Sequence, residues 1–469
     1  MAKGTVGVFI AVAVYISVGF LEQSALPSFL AHVEVVAHPN ATMDEISHAV
    51  TSHMAACSLS LGLFAVTVAG WAGRLSDRFG RRSMAVIPAV GQAIGMALVA
   101  LAAYYELDWR YVVAAWAAQG LFGGPFVFLA AAFAYLADHK KSEAAKERGR
   151  AFAALDSLLL FVAAVGPFVG GLLVRKVGFS GAFGLCALIY FAAALAFALA
   201  PPSPQRPAQP SSTCNAWLLS STPALLWRML RTPKMRPLCA AFLLAMGGLN
   251  GGAISVVFYG QRYLGWGQQQ IGYYIGAFSV LGGLMIVCVH PTASWLLGRP
   301  ISDLTMVRFA YILPLAYFML LAALPRKDVL VFALLPLFAA GPTALPHFRA
   351  LFSRARPDDA QGEQMSLVAA LESLPQLYSA PLASLAFNLL LHQPWIVLLG
   401  AGILPIGAML VLWLGVSQRD HAPQLDSTGL LAAAAINDPA AADVTRTAPR
   451  SPHEQAVPVV NPTPASQMR

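Results

Sequence analysis

The run Gly73-Arg74-Leu75-Ser76-Asp77-Arg78-Phe79-Gly80-Arg81-Arg82 lies between two apolar stretches, residues 53–71 and 83–104. Each stretch approaches the roughly 20 residues an α-helix needs to cross a bilayer core. Two such helices joined by so short a polar run must turn tightly, and Gly73 and Gly80 permit the close backbone approach this demands. Arg78, Arg81 and Arg82 are set to meet anionic headgroups or neighbouring carboxylates. Asp77 is an acid among bases, which suits a paired, switchable contact better than a simple anchor.

Outward from this run the same alternation continues. Of the 469 residues 58% are hydrophobic and 11% charged, and the mean hydropathy is +0.64. A soluble domain carries about 25% charged residues, so the solvent for most of this chain is lipid. Cutting at polar, Pro-rich or charged breaks leaves twelve apolar segments: 5–30, 53–71, 83–104, 111–136, 151–174 and 179–200, then 237–259, 271–297, 304–324, 329–347, 364–391 and 394–414. Lys3 precedes the first, which is read as a span rather than a cleaved signal because it outlasts a signal h-region. Residues 201–236 and 417–469 have no apolar periodicity and read as disordered. The expectation is an all-α polytopic membrane protein with twelve transmembrane helices in two six-helix pseudo-repeats. Its parts are an N-terminal bundle 1–200, a cytoplasmic linker 201–236, a C-terminal bundle 237–416 and a cytoplasmic tail 417–469.

The net charge of +8 is spread in short clusters between apolar runs rather than along an aromatic-interleaved basic face, which excludes nucleic acid as a partner. If the N-terminus is inside, only Arg110, Arg175, Lys176, Arg262, Arg326 and Lys327, of 30 Lys and Arg residues, fall in outer loops. The positive-inside rule therefore places both termini in the cytoplasm. The loop 32–52 then faces outward with Asn40-Ala41-Thr42, an N-glycosylation acceptor sequence. The five cysteines have neither zinc nor redox spacing and read as packing residues, so neither metal nor cofactor is expected.

An internal repeat joins the halves. Ala153-Ala154-Leu155-Asp156-Ser157-Leu158 recurs as Ala369-Ala370-Leu371-Glu372-Ser373-Leu374, at the starts of the fifth and eleventh segments. Parallel six-helix repeats are an architecture of transporters. The run 73–82 closely resembles the signature loop of the major facilitator superfamily. That resemblance implies alternating access, with the loop latching the ends of the two halves. Asp77 would face the start of helix eleven, and Arg78 or Arg81 would pair with Asp138. The second-half counterpart, Gly298-Arg299-Pro300-Ile301-Ser302-Asp303, is degenerate. Ala134-Tyr135-Leu136-Ala137-Asp138, with Arg148 and Asp156-Ser157, resembles proton-coupled folate-type carriers and tetracycline-efflux-like proteins. Gly166-Pro167-Phe168-Val169-Gly170-Gly171 resembles the core of an antiporter signature, but Val162 replaces its preceding glycine. Trp116-Ala117-Ala118-Gln119-Gly120 resembles a proton-antiporter motif whose arginine is here Trp116, which argues against drug antiport.

Three acids fall inside the segments: Glu22, Asp156 and Glu372. A charge at mid-bilayer costs about 2.5–3.5 kcal/mol on insertion scales, so each is a candidate proton or substrate site. Asp156 and Glu372 fit either a proton-coupled gate or acids paired with a loop arginine. Glu22 is expected at a water-facing outer lip of helix one. Asn250, within Gly247-Gly248-Leu249-Asn250-Gly251-Gly252, and Gln119 are candidate cavity residues. The glycines fit either a loosened helix or close packing, and His290 is expected to be a packed polar residue.

The expected function is secondary transport of a small organic solute, coupled to protons and carried out by a monomer in the bilayer. Metabolite or drug export by proton antiport is one alternative, and a non-transporting sensor on the same fold is another. No protease, hydrolase or phosphate-loop motif is present, so no enzymatic activity is expected. The plasma membrane is the expected residence. Asp426-Ser427-Thr428-Gly429-Leu430-Leu431, which resembles an acidic dileucine sorting signal, makes a vacuolar or endosomal membrane the alternative.

Overall fold

The structure, a computed structural model, describes residues 3–139, 145–201, 222–233, 235–298, 301–354, 361–390 and 393–415. The tail with its dileucine sequence lies outside the described residues, as does most of the linker. All regular structure among the described residues is helical, because a helix satisfies its own backbone groups where lipid offers no partner.

Twelve crossings result. The first three are Lys3–Ala37, Met43–Phe79 and Arg81–Tyr104. The fourth is built from Trp109–Leu121 and Gly124–His139, and the fifth and sixth share the run Ala145–Ala198, broken at Gly178. The seventh and eighth are Met235–Tyr263 and Gln268–Leu296. The ninth joins Asp303–Phe309 to Ile312–Ala323. The tenth joins Asp328–Ala339, the 3-10 turn Gly341–Thr343 and Ala344–Arg354. Gln361–Leu389 and Pro394–Gly415 complete the set. Among the described residues, ten stretches are individually long and apolar enough to cross a membrane.

Several local expectations change. The fourth span is not one helix, because Gly123 and Gly124 take φ of +98° and +60°, which only glycine adopts without strain. The first span overshoots its expected end at residue 30 by two turns. The second begins early, at a Thr42–Glu45 capping box in which Thr42 N donates to Glu45 Oε2 at 2.7 Å and Glu45 N to Thr42 Oγ1 at 3.3 Å. The linker is not wholly irregular, since Thr222–Arg231 is a helix whose Leu226 packs on the second core. Thr222 Oγ1 accepts from Gly70 N at 2.8 Å and donates to Thr67 O at 3.3 Å, fastening that helix to the second span.

Each half has its own core. The first runs from Val8 to Ala200 and also takes in Met365, Ala369 and Ala370 of the eleventh span. The second runs from Met235 to Leu412. The halves meet where the second and fourth spans pack on the eleventh and the fifth packs on the eighth. There, a Cβ on Gly283 would lie 3.2 Å from Ser157 O. The face carrying the loop 73–82 is called the basic face below.

The glycines of the seventh span pack rather than loosen. Gly247 abuts Tyr378, Gly248 abuts Pro405, Gly252 abuts Phe318, and the helix is continuous through Asn250. Gly166 illustrates the same constraint in the first half. A Cβ there would sit 2.8 Å from Phe20 C and 2.9 Å from Leu21 N, both backbone atoms. Gly166→Ala is therefore expected to destabilise the protein by about 1–3 kcal/mol, seen as a lowered melting temperature in detergent. Gly184→Ala, with nothing within 4 Å of the new methyl, should not lower it.

Candidate functional site

The loop 73–82 is held by its own chain ends. Gly80, at φ +91°, ends the second span and starts the third, and its N–H donates to Ser76 O at 3.1 Å. Directly after it, Arg81 Nε donates to Asp138 Oδ2 at 2.8 Å, while Arg81 Nη1 donates to Ser76 Oγ at 3.0 Å. The second, third and fourth spans are thereby tied at the basic face. Arg82 Nη1 donates to Ala200 O at 3.1 Å, adding the end of the sixth. Gly73 is buried, and the side chains of Asp77 and Arg78 lie outside the described residues.

The second-half loop lacks most of this pattern yet keeps part of its mechanics. Arg308 Nη2 donates to Leu412 O at 3.0 Å, near the end of the twelfth span, as Arg82 does near the end of the sixth. Ser302 caps the ninth span by accepting from Thr305 N at 3.2 Å. Asp303 meets His347 of the tenth span, with Oδ1 2.6 Å from Nδ1.

Between the halves lies a residue that the sequence reading assigned to a loop. The expected tenth span stopped at residue 347, but the helix Ala344–Arg354 continues inward and buries Arg349. Its Nη1 donates to Asp156 of the fifth span and its Nη2 to Glu372 of the eleventh. The two acids found by the repeat thus flank one guanidinium from opposite halves. Arg349 also lies over the ring of Phe133 in the fourth span, 4.1 Å from its centroid. Beside this bridge Ser157 Oγ donates to Gly283 O at 2.8 Å, again across the halves. Asp156 Oδ2 is buried with no hydrogen-bond partner among the described residues, so one acceptor position in the bridge is open.

Glu22 is not at a water-facing lip. Because the first span runs to Ala37, Glu22 sits in mid-span and is only 5% exposed. Tyr190 of the sixth span donates to its Oε2 at 3.3 Å, and Gln119 of the fourth faces the same carboxyl. Gly95 leaves no room for a Cβ where Gln119 lies. Tyr15 stacks on Phe128 at 3.8 Å, and its hydroxyl, like Gln92 Oε1 and Gln119 Nε2, is buried without a hydrogen-bond partner among the described residues. Asn250, half-buried in the seventh span, joins neither group. His290 is half-buried and 3.3 Å from Ile301 O.

Asn40 is exposed, on the face opposite the basic one, in a cleft of about 580 Å³ that Glu34, His38 and Glu45 also line. The Thr42 backbone N–H holds the Glu45 carboxyl below its ordinary pKa.

The sequence pattern of the Major Facilitator Superfamily matches residues 6–380. The chain belongs to the Major Facilitator Superfamily. Membership makes it a membrane transporter rather than an enzyme. Among curated relatives, the class C tetracycline resistance protein of Escherichia coli is 25% identical over 351 residues, covering 71% of this chain and 79% of that protein. The lysosomal proton-coupled steroid conjugate and bile acid symporter SLC46A3 of Gallus gallus is 27% identical over 114 residues, which are 24% of each chain. The human organic anion transporter MFSD10 has the same fold, with a TM-score of 0.71 and 15% identity, over 88% of this chain and 100% of that one. An auto-inhibited POT family peptide transporter aligns with a TM-score of 0.63 and 12% identity, over 88% and 96%.

Within this Major Facilitator chain the bridge has a measurable cost structure. Removing one member of a buried ion pair leaves an uncompensated charge and costs about 3–5 kcal/mol. Arg349→Met is expected to lose about that much stability, read as early thermal unfolding in detergent. Adding Asp156→Asn and Glu372→Gln to the same chain should recover most of the loss.

Proposed function

We propose that this transporter moves a small organic solute by alternating access, and that protons drive it by acting on the Asp156–Arg349–Glu372 bridge. The observation that carries this reading is Arg349, buried in one half and bonded to acids of both. While both acids are ionised the bridge holds the halves together on the basic face. A proton on Asp156 Oδ2 or on Glu372 removes one attraction and lets that face open. The bridge is therefore complete at high pH and lost as pH falls. Glu22, ringed by tyrosine and amide groups and with no basic partner among the described residues, is a second proton site, inside the first half. Gln119 and Asn250 contribute to solute binding, and Arg81–Asp138, with Asp77 and Arg78, forms the latch of the basic face.

The bundles 1–200 and 237–416 rock about this interface as two bodies within one monomer. The Lys and Arg bias supports placing the basic face and both termini in the cytoplasm. Asn40 then faces outward as a glycan acceptor, and Asn40→Gln should abolish any glycosidase-sensitive shift on a gel. Residence in the plasma membrane or in an acidic organelle both suit a proton-driven carrier. The names of the relatives support a bulky, ring-based solute such as a steroid conjugate, a bile acid or a tetracycline. Export of a metabolite or drug by proton antiport is the second reading, and the long match to a protein named for tetracycline resistance supports a drug as its solute.

The test uses purified chain in liposomes with an imposed pH gradient and a labelled bile acid, a steroid sulfate and tetracycline. Gradient-driven movement of one of these, abolished in Glu372→Gln, is expected, and its direction separates symport from antiport. Binding without any gradient-dependent movement would instead support the sensor reading.

A further inference from the structure

The helix Thr222–Arg231 has one face in the protein and one outside it. Inside, Thr222 is seated on the backbone of Thr67 and Gly70, and Leu226 packs on the second core. Outside, Trp227 is 58% exposed and Leu230 43%. The level of the helix accounts for this. Gly70 lies within a turn of Gly73, where the apolar stretch of the second span ends. At its other end the helix stops just before Met235, whose N–H donates to Thr232 O at 3.0 Å as the seventh span begins. Both ends are pinned where spans reach the basic face, and about 15 Å of helix runs between them at the boundary of bilayer and water. Tryptophan is favoured at that boundary, where its ring meets acyl chain and headgroup together.

The charge beside Trp227 fits the same place. Residues 222–236 hold four basic residues and no acid. Arg231 Cζ lies 4.7 Å from the centroid of the Trp227 ring. Arg231 and Arg236 are exposed, with no carboxylate partner among the described residues. A guanidinium over a ring keeps its N–H donors at its edge, where a phosphate accepts two of them. We infer that Trp227, Leu230 and Arg231 form a docking surface for an anionic phospholipid of the leaflet on the basic face. The phosphate sits on Arg231, and the upper acyl chain lies against Trp227 and Leu230. Amphipathic helices bind interfaces by this pairing of apolar burial with attraction to anionic headgroups. A soluble phosphate would use the arginine but leave the apolar pair to water, whereas a lipid uses both. The helix packs on the second span of one half and on the seventh and eleventh of the other, so a lipid held here bears on the seam between them.

The full chain in neutral detergent, titrated with phosphatidylglycerol or phosphatidylcholine brominated near the headgroup, provides the test. Emission from Trp227 is read as the difference between the chain and Trp227→Phe, and bromine quenches it on contact. Half-quenching is expected at a lower fraction of phosphatidylglycerol than of phosphatidylcholine. Arg231→Gln should need about fivefold more phosphatidylglycerol, with the phosphatidylcholine curve and the melting temperature of the lipid-free chain unchanged. Glycerol 3-phosphate, which offers the charge without the chains, should not displace the lipid. Equal curves for the two lipids, or an undiminished preference in Arg231→Gln, would overturn the headgroup contact. Displacement by glycerol 3-phosphate would assign Arg231 to a soluble anion, and no quenching by either lipid would show the face covered by protein; each of these overturns the proposal.

Discussion

A guanidinium surrounded by helices is tolerable only with negative charge against it, and Arg349 has it from two directions. Desolvation of the three charged groups offsets much of their attraction, so well-packed apolar residues would hold the same site at least as firmly. The bridge is thus a poor stabiliser, and it holds only while all three groups keep their charges. The surroundings depend on it. Ala344–Arg354 carries its charge inward only because acids await it. The fifth and eleventh spans, one from each half, supply them.

The two halves resemble each other where they are stiff and differ where they meet. Arg82 and Arg308 perform one task, each binding a carbonyl near the last turn of its own half. The basic-face tie of the first half is an arginine on Asp138, whereas in the second it is a histidine on Asp303. Arginine keeps its charge at any physiological pH, and histidine does not. Duplicated architecture therefore carries the same kind of clasp in two different chemistries.

The spans were legible because lipid imposes a simple rule on composition, and the acids Asp156 and Glu372 were legible because a repeat placed them in register. Arg349 was not, for the same reason that hydropathy works. A base just past an apolar stretch reads as the start of a loop, and its burial depends on partners about 190 residues back and 23 residues ahead in the chain. Glu22 was misplaced through the length of one helix, since a span that ends two turns later moves the acid to mid-membrane. Gly247 and its neighbours invited a choice between looseness and packing that only Tyr378, Pro405 and Phe318 decide. Local pattern shows which elements exist, while contacts between distant segments show what each polar residue faces.

The helix Thr222–Arg231 is shared by the two halves. Its Thr222 hydroxyl is seated in the backbone of the second span, while its Leu226 packs on the second core. The polar stretch that separates the bundles in the sequence thus contributes a packed element that both of them hold, and the connection is part of the interface as well as a tether.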